Sequence, residues 1–553
     1  MTRLKLLLGI ALLLGMMAAV VLCFSPYAPV VQPVMPIEAL WAIEDEREES
    51  EAPLVTTLEC NGVPLAYDAR EDVFYCTLGL DNGEEWPELH LTAPGAKGVS
   101  LVFEDDYAYD GCADAIRNNS EYWVMAYTET EYAYFRIIFT GLPLLMIEAD
   151  AEIGAEDTPA RVTVSAYGME KVSSFACIHT RGGLTNGQDK KSYRVETTRR
   201  ANGTGKIRQE LPEIGLTDSL NLLAMPFDRS LMRDRLSWDI YAQMAPESAP
   251  FSARDSAYAE VFVNGEYEGV YLMMLPFDIA DELAGAGENH VLTDSVYRTC
   301  VSYLKPDREI IAHPCRQNTG YAVYYSPSSD PGAALEDYLA LLLQEDDEAF
   351  CREALAHLDL TSMLQVELFV QAGGMTDNIF NNLYIWAERR PSGFVYHFIP
   401  WDMDLSWGMK MEDIGMQYEN WMFFPPADRL IRLDPDGQVR AQLAQMWKAL
   451  REGPLNTQWI AARLEQYMAE LNDSGAMLRN AVRWETEDYA ADGYPILDYA
   501  ILRFELLDET IARLALSDGG TPLFLDGTQY EGKGTAIEWG REGNGVCALG
   551  TGN

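Results

Sequence analysis

Asp377 and Asn382 stand five residues apart in Met375-Thr-Asp-Asn-Ile-Phe-Asn-Asn-Leu-Tyr-Ile-Trp386, and Asp402 and Asp404 follow in His397-Phe-Ile-Pro-Trp-Asp-Met-Asp-Leu-Ser-Trp-Gly408. Carboxylates and a carboxamide in this order suit phosphoryl transfer. That reaction asks for one carboxylate to orient an attacking hydroxyl and further oxygen ligands to hold magnesium on nucleotide phosphates. Asp377 takes the first task in this reading, and Asn382 with Asp404 the second. The same residue types also end strands and build turns through bonds to nearby backbone, so a purely structural reading stands beside the chemical one.

The elements that must position these groups follow from apolar periodicity. Residues 361–372 are mostly apolar and predict a buried helix, ended by Gly373-Gly374 just before Asp377; two short aromatic strands then lead to Asp402. Upstream, strands at 175–180 and 192–196 flank Arg181-Gly-Gly-Leu-Thr-Asn-Gly187. Small residues such as Gly182 and Gly183 let backbone amides approach an anion, and Lys190 or Lys191 supplies a point charge. An ordinary hairpin turn is the alternative. Residues 228–242 predict an amphipathic helix with Asp228 as its cap, and 259–272 a hairpin turning at Asn264-Gly265. Helical patterns recur at 438–452, 456–480 and 496–516.

The chain has 553 residues, 48% of them hydrophobic, which is enough for two or three domains with real cores. Its 41 basic against 86 acidic side chains give a formal charge of −45, which repels nucleic acid and anionic membrane surfaces and favours basic partners. A phosphate site in such a field needs magnesium and a local cluster of Lys or Arg. Arg3 and Lys5 precede an uncharged apolar run over 6–25, which reads as an export signal or an N-terminal membrane anchor. The bulk of the protein is therefore expected outside the cytoplasm, touching membrane only through that segment. Residues 26–52, with four prolines and an acidic run, read as a tether; 53–164 read as a small all-β, sandwich-like accessory domain; 518–553 read as a Gly-rich tail. No CxxC pair or Cys–His spacing suggests zinc. Cys60 with Cys76, and Cys300 with Cys315, are near enough in sequence to pair, with buried free thiols as the alternative.

A β-rich half at about 165–280 with a Gly-rich loop and Lys, followed by a helical half at about 333–517 with Asp, Asn and a later Asp, has the layout of a protein kinase. The sequence resembles the CotH family of atypical kinases, named for a spore-coat protein. The resemblance covers roughly 165–515. It rests on Arg181-Gly182 with Lys190-Lys-Ser-Tyr-Arg194, Asp228 with Ser230-Leu-Met-Arg233, Val263-Asn-Gly-Glu-Tyr-Glu-Gly-Val-Tyr-Leu272, Asp377 with Asn382, and Pro400-Trp-Asp-Met-Asp-Leu-Ser-Trp-Gly408. It implies an α+β, two-lobed kinase-like fold behind the β accessory domain. It also implies an exported Ser/Thr protein kinase that uses ATP with Mg2+ or Mn2+ on surface or coat proteins. Lys191 would contact nucleotide phosphate, with Lys190 as competitor. Asp377 would orient the hydroxyl, Asn382 and Asp404 would bind metal, and Asp402 would serve as an additional metal-side carboxylate. Where the family usually reads Tyr-Leu-Leu-Thr-Glu, this chain has Tyr271-Leu-Met-Met-Leu275, leaving Glu266, Glu268 or Asp278 to stand in for the missing acid. A kinase scaffold that transfers AMP or ligates glutamate is a second reading, and a surface scaffold protein a third.

Overall fold

The computed structural model describes residues 35–50, 54–83, 85–102, 111–182, 184–244, 255–276, 293–300, 321–378, 381–409, 425–434 and 436–516. The apolar run at 6–25 and the tail at 518–553 lie outside them. Among the described residues no helix is long and apolar enough to cross a membrane.

The first unit is a sheet ordered Ala66–Asp68, Val73–Thr77, Glu131–Thr140, Glu121–Tyr127, Gly98–Val102, packed with a small sheet of Val63–Pro64, Glu59–Cys60 and Leu91–Thr92. Leu58, Phe74, Tyr122 and Phe139 fill the space between, together with Cys60 and Cys76 as free thiols. The Cys76 hydrogen bond lowers the pKa of the Cys60 thiol, so the two lie side by side. Of the other expected pair, the side chain of Cys300 and the whole of Cys315 lie outside the described residues.

The acidic stretch read as a tether is docked on this unit. Ile37–Glu46 is a helix, and Glu48–Glu49 pairs with Glu131 and Tyr132. Tyr134 donates to Glu44 (2.7 Å), and Arg47 Nε donates to the Thr128 carbonyl (2.8 Å). These long-range partners override the local composition that suggested a free linker.

A closed barrel follows, in the order Leu144–Ala149, Thr158–Ser165, Val172–Arg181, Ser192–Thr198, Ser219–Leu223, Glu266–Met274, Ser256–Val263. Ile147, Val162, Ile178, Val195, Leu222 and Val261 alternate inward to fill it. The barrel closes where Leu144–Ile147 runs parallel to Glu260–Val263. The boundary expected at 164 from turn spacing thus falls inside the barrel, because its first strand finds a partner more than a hundred residues away.

The rest combines helices with a further sheet. Strands Tyr321–Tyr325, Thr293–Cys300, Asn381–Arg390 and Gly393–Pro400 form a second sheet, covered by helices Ala333–Leu342, Asp347–His357 and Leu360–Gly373; Gln438–Glu452 and Tyr494–Leu516 pack on Leu360–Gly373, Thr457–Asp473 packs on Tyr494–Leu516, and Ala476–Arg483 lies on the barrel strand Glu266–Met274. The pattern at 456–480 breaks in two at Gly475, which takes φ 69°. Helix Leu360–Gly373 begins where the Asp359 side chain accepts from Ser362 N and stops at Gly374 in the left-handed region (φ 65°). A Cβ on Gly374 would collide with the Tyr499 hydroxyl. The architecture is α+β, with an all-β N-terminal part.

Candidate active site

Past Gly374 the chain makes a single turn over Thr376–Asn378 and joins the strand Asn381–Arg390. Asn378 is wholly buried. Its Nδ2 donates to the carbonyls of Asn382 (3.1 Å) and Trp401 (2.6 Å), while Trp401 N donates to the same Asn382 carbonyl (2.9 Å). These bonds staple the start of one strand to the end of the next, where Asn382 and Asp402 emerge. Both residues take positive φ, 49° and 56°, which side-chain-bearing residues seldom adopt unless surrounding contacts impose it. Asn382 Nδ2 in turn donates to Asp377 Oδ2 (2.6 Å).

The helix Arg233–Met244 approaches the same loop from the barrel side. Buried Asp228 accepts from Ser230 N (3.1 Å), Ser230 Oγ (2.7 Å) and Arg233 N (2.8 Å), and pairs with the Arg233 guanidinium. It organises the turn ahead of the helix, whose first residue is Arg233 rather than the residue after Asp228. Arg233 Nε donates to the Ser406 carbonyl (3.1 Å), and Asp234 Oδ1 accepts from Met403 N (3.1 Å), between Asp402 and Asp404. Trp407 Nε1 donates to Ser237 Oγ (2.8 Å), and Trp407 N to the Gly373 carbonyl (2.6 Å). Residues 401–408 are thereby bonded to both helices.

This convergence is visible in the electrostatics. Asp404 keeps part of its surface open, yet enough protein packs around it that burial, then Asp402, Asp234, Asp228 and Asp377, push its carboxyl far above the usual range. Asp234 is raised to about 7, by burial first and Asp402 next, against the opposing pull of Met403 N–H and Arg181. Burial lowers the Arg181 guanidinium, Asp402 and Asp234 raise it, and Arg298 lowers it again. Arg181 also sits 5.9 Å from the centre of the Trp401 ring. Five carboxylates therefore share one neighbourhood, and Arg233 is committed to one of them, Asp228.

Asp377, Asn382, Asp402 and Asp404 lie together in this centre. Among the described residues, no hydrogen bond or ion pair joins Lys190 or Lys191 to them. Lys190 is buried against the Val270 carbonyl (2.5 Å), Asn480 Oδ1 (3.0 Å) and the Tyr271 ring, and burial drops its ammonium to about 7. Lys191 donates to the carbonyls of Asn186 (2.8 Å) and Gln188 (2.5 Å) in its own loop. Gly182 takes φ 102° in that loop, and Gly183 lies outside the described residues. The cations beside the acids are instead Arg181 and Arg298, whose Nη2 donates to Asn382 Oδ1 (3.2 Å). That bond turns the Asn382 oxygen expected to bind metal toward a guanidinium. Glu266 pairs with Arg70 and Glu268 with Arg483; Leu275 packs against the barrel core, and Asp278 lies outside the described residues. Among the described residues, neither Glu266 nor Glu268 pairs with Lys191.

Asp234, Arg298 and Asn378 carry no sequence signal of their own. Asp234 resembles any first-turn acid, Arg298 any outward strand residue, and Asn378 any turn residue. Among the described residues no three His, Cys, Asp or Glu side chains are already arranged to hold a metal ion. The all-oxygen donor set fits magnesium all the same, because that ion takes one or two carboxylates and completes its shell with water and substrate phosphate.

Scaffold and site define a mixed α+β protein with one charge-unbalanced acidic centre where a barrel, a helix and a hairpin meet. Residues 178–503 match the model of the family described as CotH kinase protein, and the chain belongs to that family. Every residue of the acidic centre lies within the matched span. A search of curated proteins finds no match to this chain.

Proposed function

We propose that this chain is an exported protein kinase with a two-lobed kinase-like arrangement, transferring the γ-phosphate of ATP to Ser or Thr hydroxyls of surface or coat proteins. The convergence of Asp377, Asp402, Asp404 and Asp234 around a cation-poor centre carries this reading. Asp377, steadied through Asn382, accepts the proton as the substrate hydroxyl oxygen bonds to the γ-phosphorus and ADP departs. Asp402 and Asp404 would hold magnesium, which when bound offsets the charge on the phosphates. Asn378 fixes the two strand ends so that the carboxylates need no reorganisation. Export rests on the N-terminal charged and apolar segment.

The test is incubation of the full chain with magnesium and ATP labelled in either the γ or the α position. Protein labelled only from γ, and unlabelled with Asp377→Ala, supports the kinase. Label from α shows AMP transfer, and no label from either supports a binding or scaffold protein.

A further inference from the structure

Arg298 sits mid-strand in Thr293–Cys300, across from Tyr384 on the neighbouring strand. Its Nη2 bonds to Asn382, a neutral partner, while its Nε is buried with no hydrogen-bond partner among the described residues. Arg181 arrives from the barrel and lies over Trp401, whose ring is 6.1 Å from that of Tyr384. Two guanidinium groups from separate sheets are thus brought to the same aromatic pair, close enough for Arg298 to weaken the proton affinity of Arg181. Arg181 finds counter-charge in Asp402 and Asp234, whereas among the described residues Arg298 bonds to the neutral Asn382 and forms no ion pair.

A buried N–H without an acceptor is costly, and two adjacent guanidiniums repel, so the pair favours an anion rich in oxygens. Planar forks suit phosphate oxygens better than a single ammonium does. The acids on the other side of Arg181 require that such an anion also carry a metal, a combination found in a polyphosphate chain. Building on the kinase reading, we propose that Arg181 and Arg298 form a two-guanidinium clamp for the nucleotide's phosphates. They then hold the place that the sequence suggested for Lys191.

Binding of inorganic tripolyphosphate and of ATP to the full chain, each with magnesium, tests this by calorimetry. The wild type is expected to bind both. Arg298→Gln and Arg181→Gln should each weaken both ligands at least tenfold, with Arg298→Lys recovering part of the loss and melting curves confirming that the variants fold. If wild type binds neither ligand, the kinase reading itself fails. If it binds ATP and not tripolyphosphate, if both Gln variants bind like wild type, or if the loss falls on Lys191→Gln instead, the clamp is wrong while the kinase reading survives. Should Arg298→Gln not fold, Arg181→Gln together with the wild-type tripolyphosphate titration decides the matter.

Discussion

Two buried charge clusters in this molecule have opposite designs. In the first, Glu260 of the barrel is wholly buried and accepts from Arg479 Nε and Nη2 (both 2.8 Å) and from Tyr267 (2.6 Å). Arg479 also reaches Thr140 Oγ1 (2.7 Å) and Asn119 of the first β unit and the Ser474 carbonyl (3.0 Å). One cation meets one anion, and hydrogen bonds occupy the remaining positions. Three parts of the chain are riveted there, so the first β unit is built into the body of the protein. In the second cluster burial, and then the mutual repulsion of five carboxylates that face too little positive charge, raises the proton affinity of Asp404 and Asp234. A balanced cluster serves the fold; an unbalanced one stores repulsion that only a bound cation or proton relieves.

Breaking the balanced cluster should have the largest effect. Arg479→Ala leaves Glu260 buried and unpaired, and a loss of roughly 3–5 kcal/mol is expected in denaturant unfolding. A loss below about 1 kcal/mol would show that the rivet is dispensable.

Relieving the unbalanced cluster should do the reverse. Asp234 holds its proton more tightly folded, near 7, than unfolded, near 4, so its contribution is fully present below about pH 4 and is lost as pH rises toward 7. Asp234→Asn keeps an oxygen for Met403 N–H and should recover up to roughly 4 kcal/mol at pH 8 and almost nothing at pH 4. Melting temperatures of wild type and variant across that range check it, and parallel pH profiles would contradict it. Magnesium should shrink the difference between the two proteins at pH 8.

Asn378→Ala removes two bonds from the staple and should cost about 1–3 kcal/mol in stability, with a larger proportional fall in phosphoryl transfer than in ATP affinity. Equal falls in both would assign it a purely structural part. Lys190, whose folded pKa near 7 lies below its unfolded value, makes stability rise with pH above 7. Lys190→Met should flatten that rise between pH 7 and 10 in melting curves.

Local pattern revealed most elements and half of the site. Residues 361–372, the Gly373-Gly374 stop and the aromatic strands leading to Asp402 were legible because each depends on neighbours a few residues away. The barrel boundary was not, since Leu144–Ala149 closes against Glu260–Val263 across a long stretch of chain. Charge partners were hidden for the same reason. Lys190 and Lys191 follow a Gly-rich loop and look poised for an anion, but one is sealed against Asn480 and the other against its own loop carbonyls. Arg298 reaches Asn382 only because their strands are neighbours in the second sheet, a pairing that no spacing announces.

Calorimetric titration of ATP into the full chain, with and without magnesium, for wild type and Asp404→Asn, probes the acidic centre most directly. ATP should bind wild type only when magnesium is present, and Asp404→Asn should lose most of that magnesium-dependent affinity. Affinity that ignores both the metal and the substitution would mean that the five carboxylates do not form a nucleotide site.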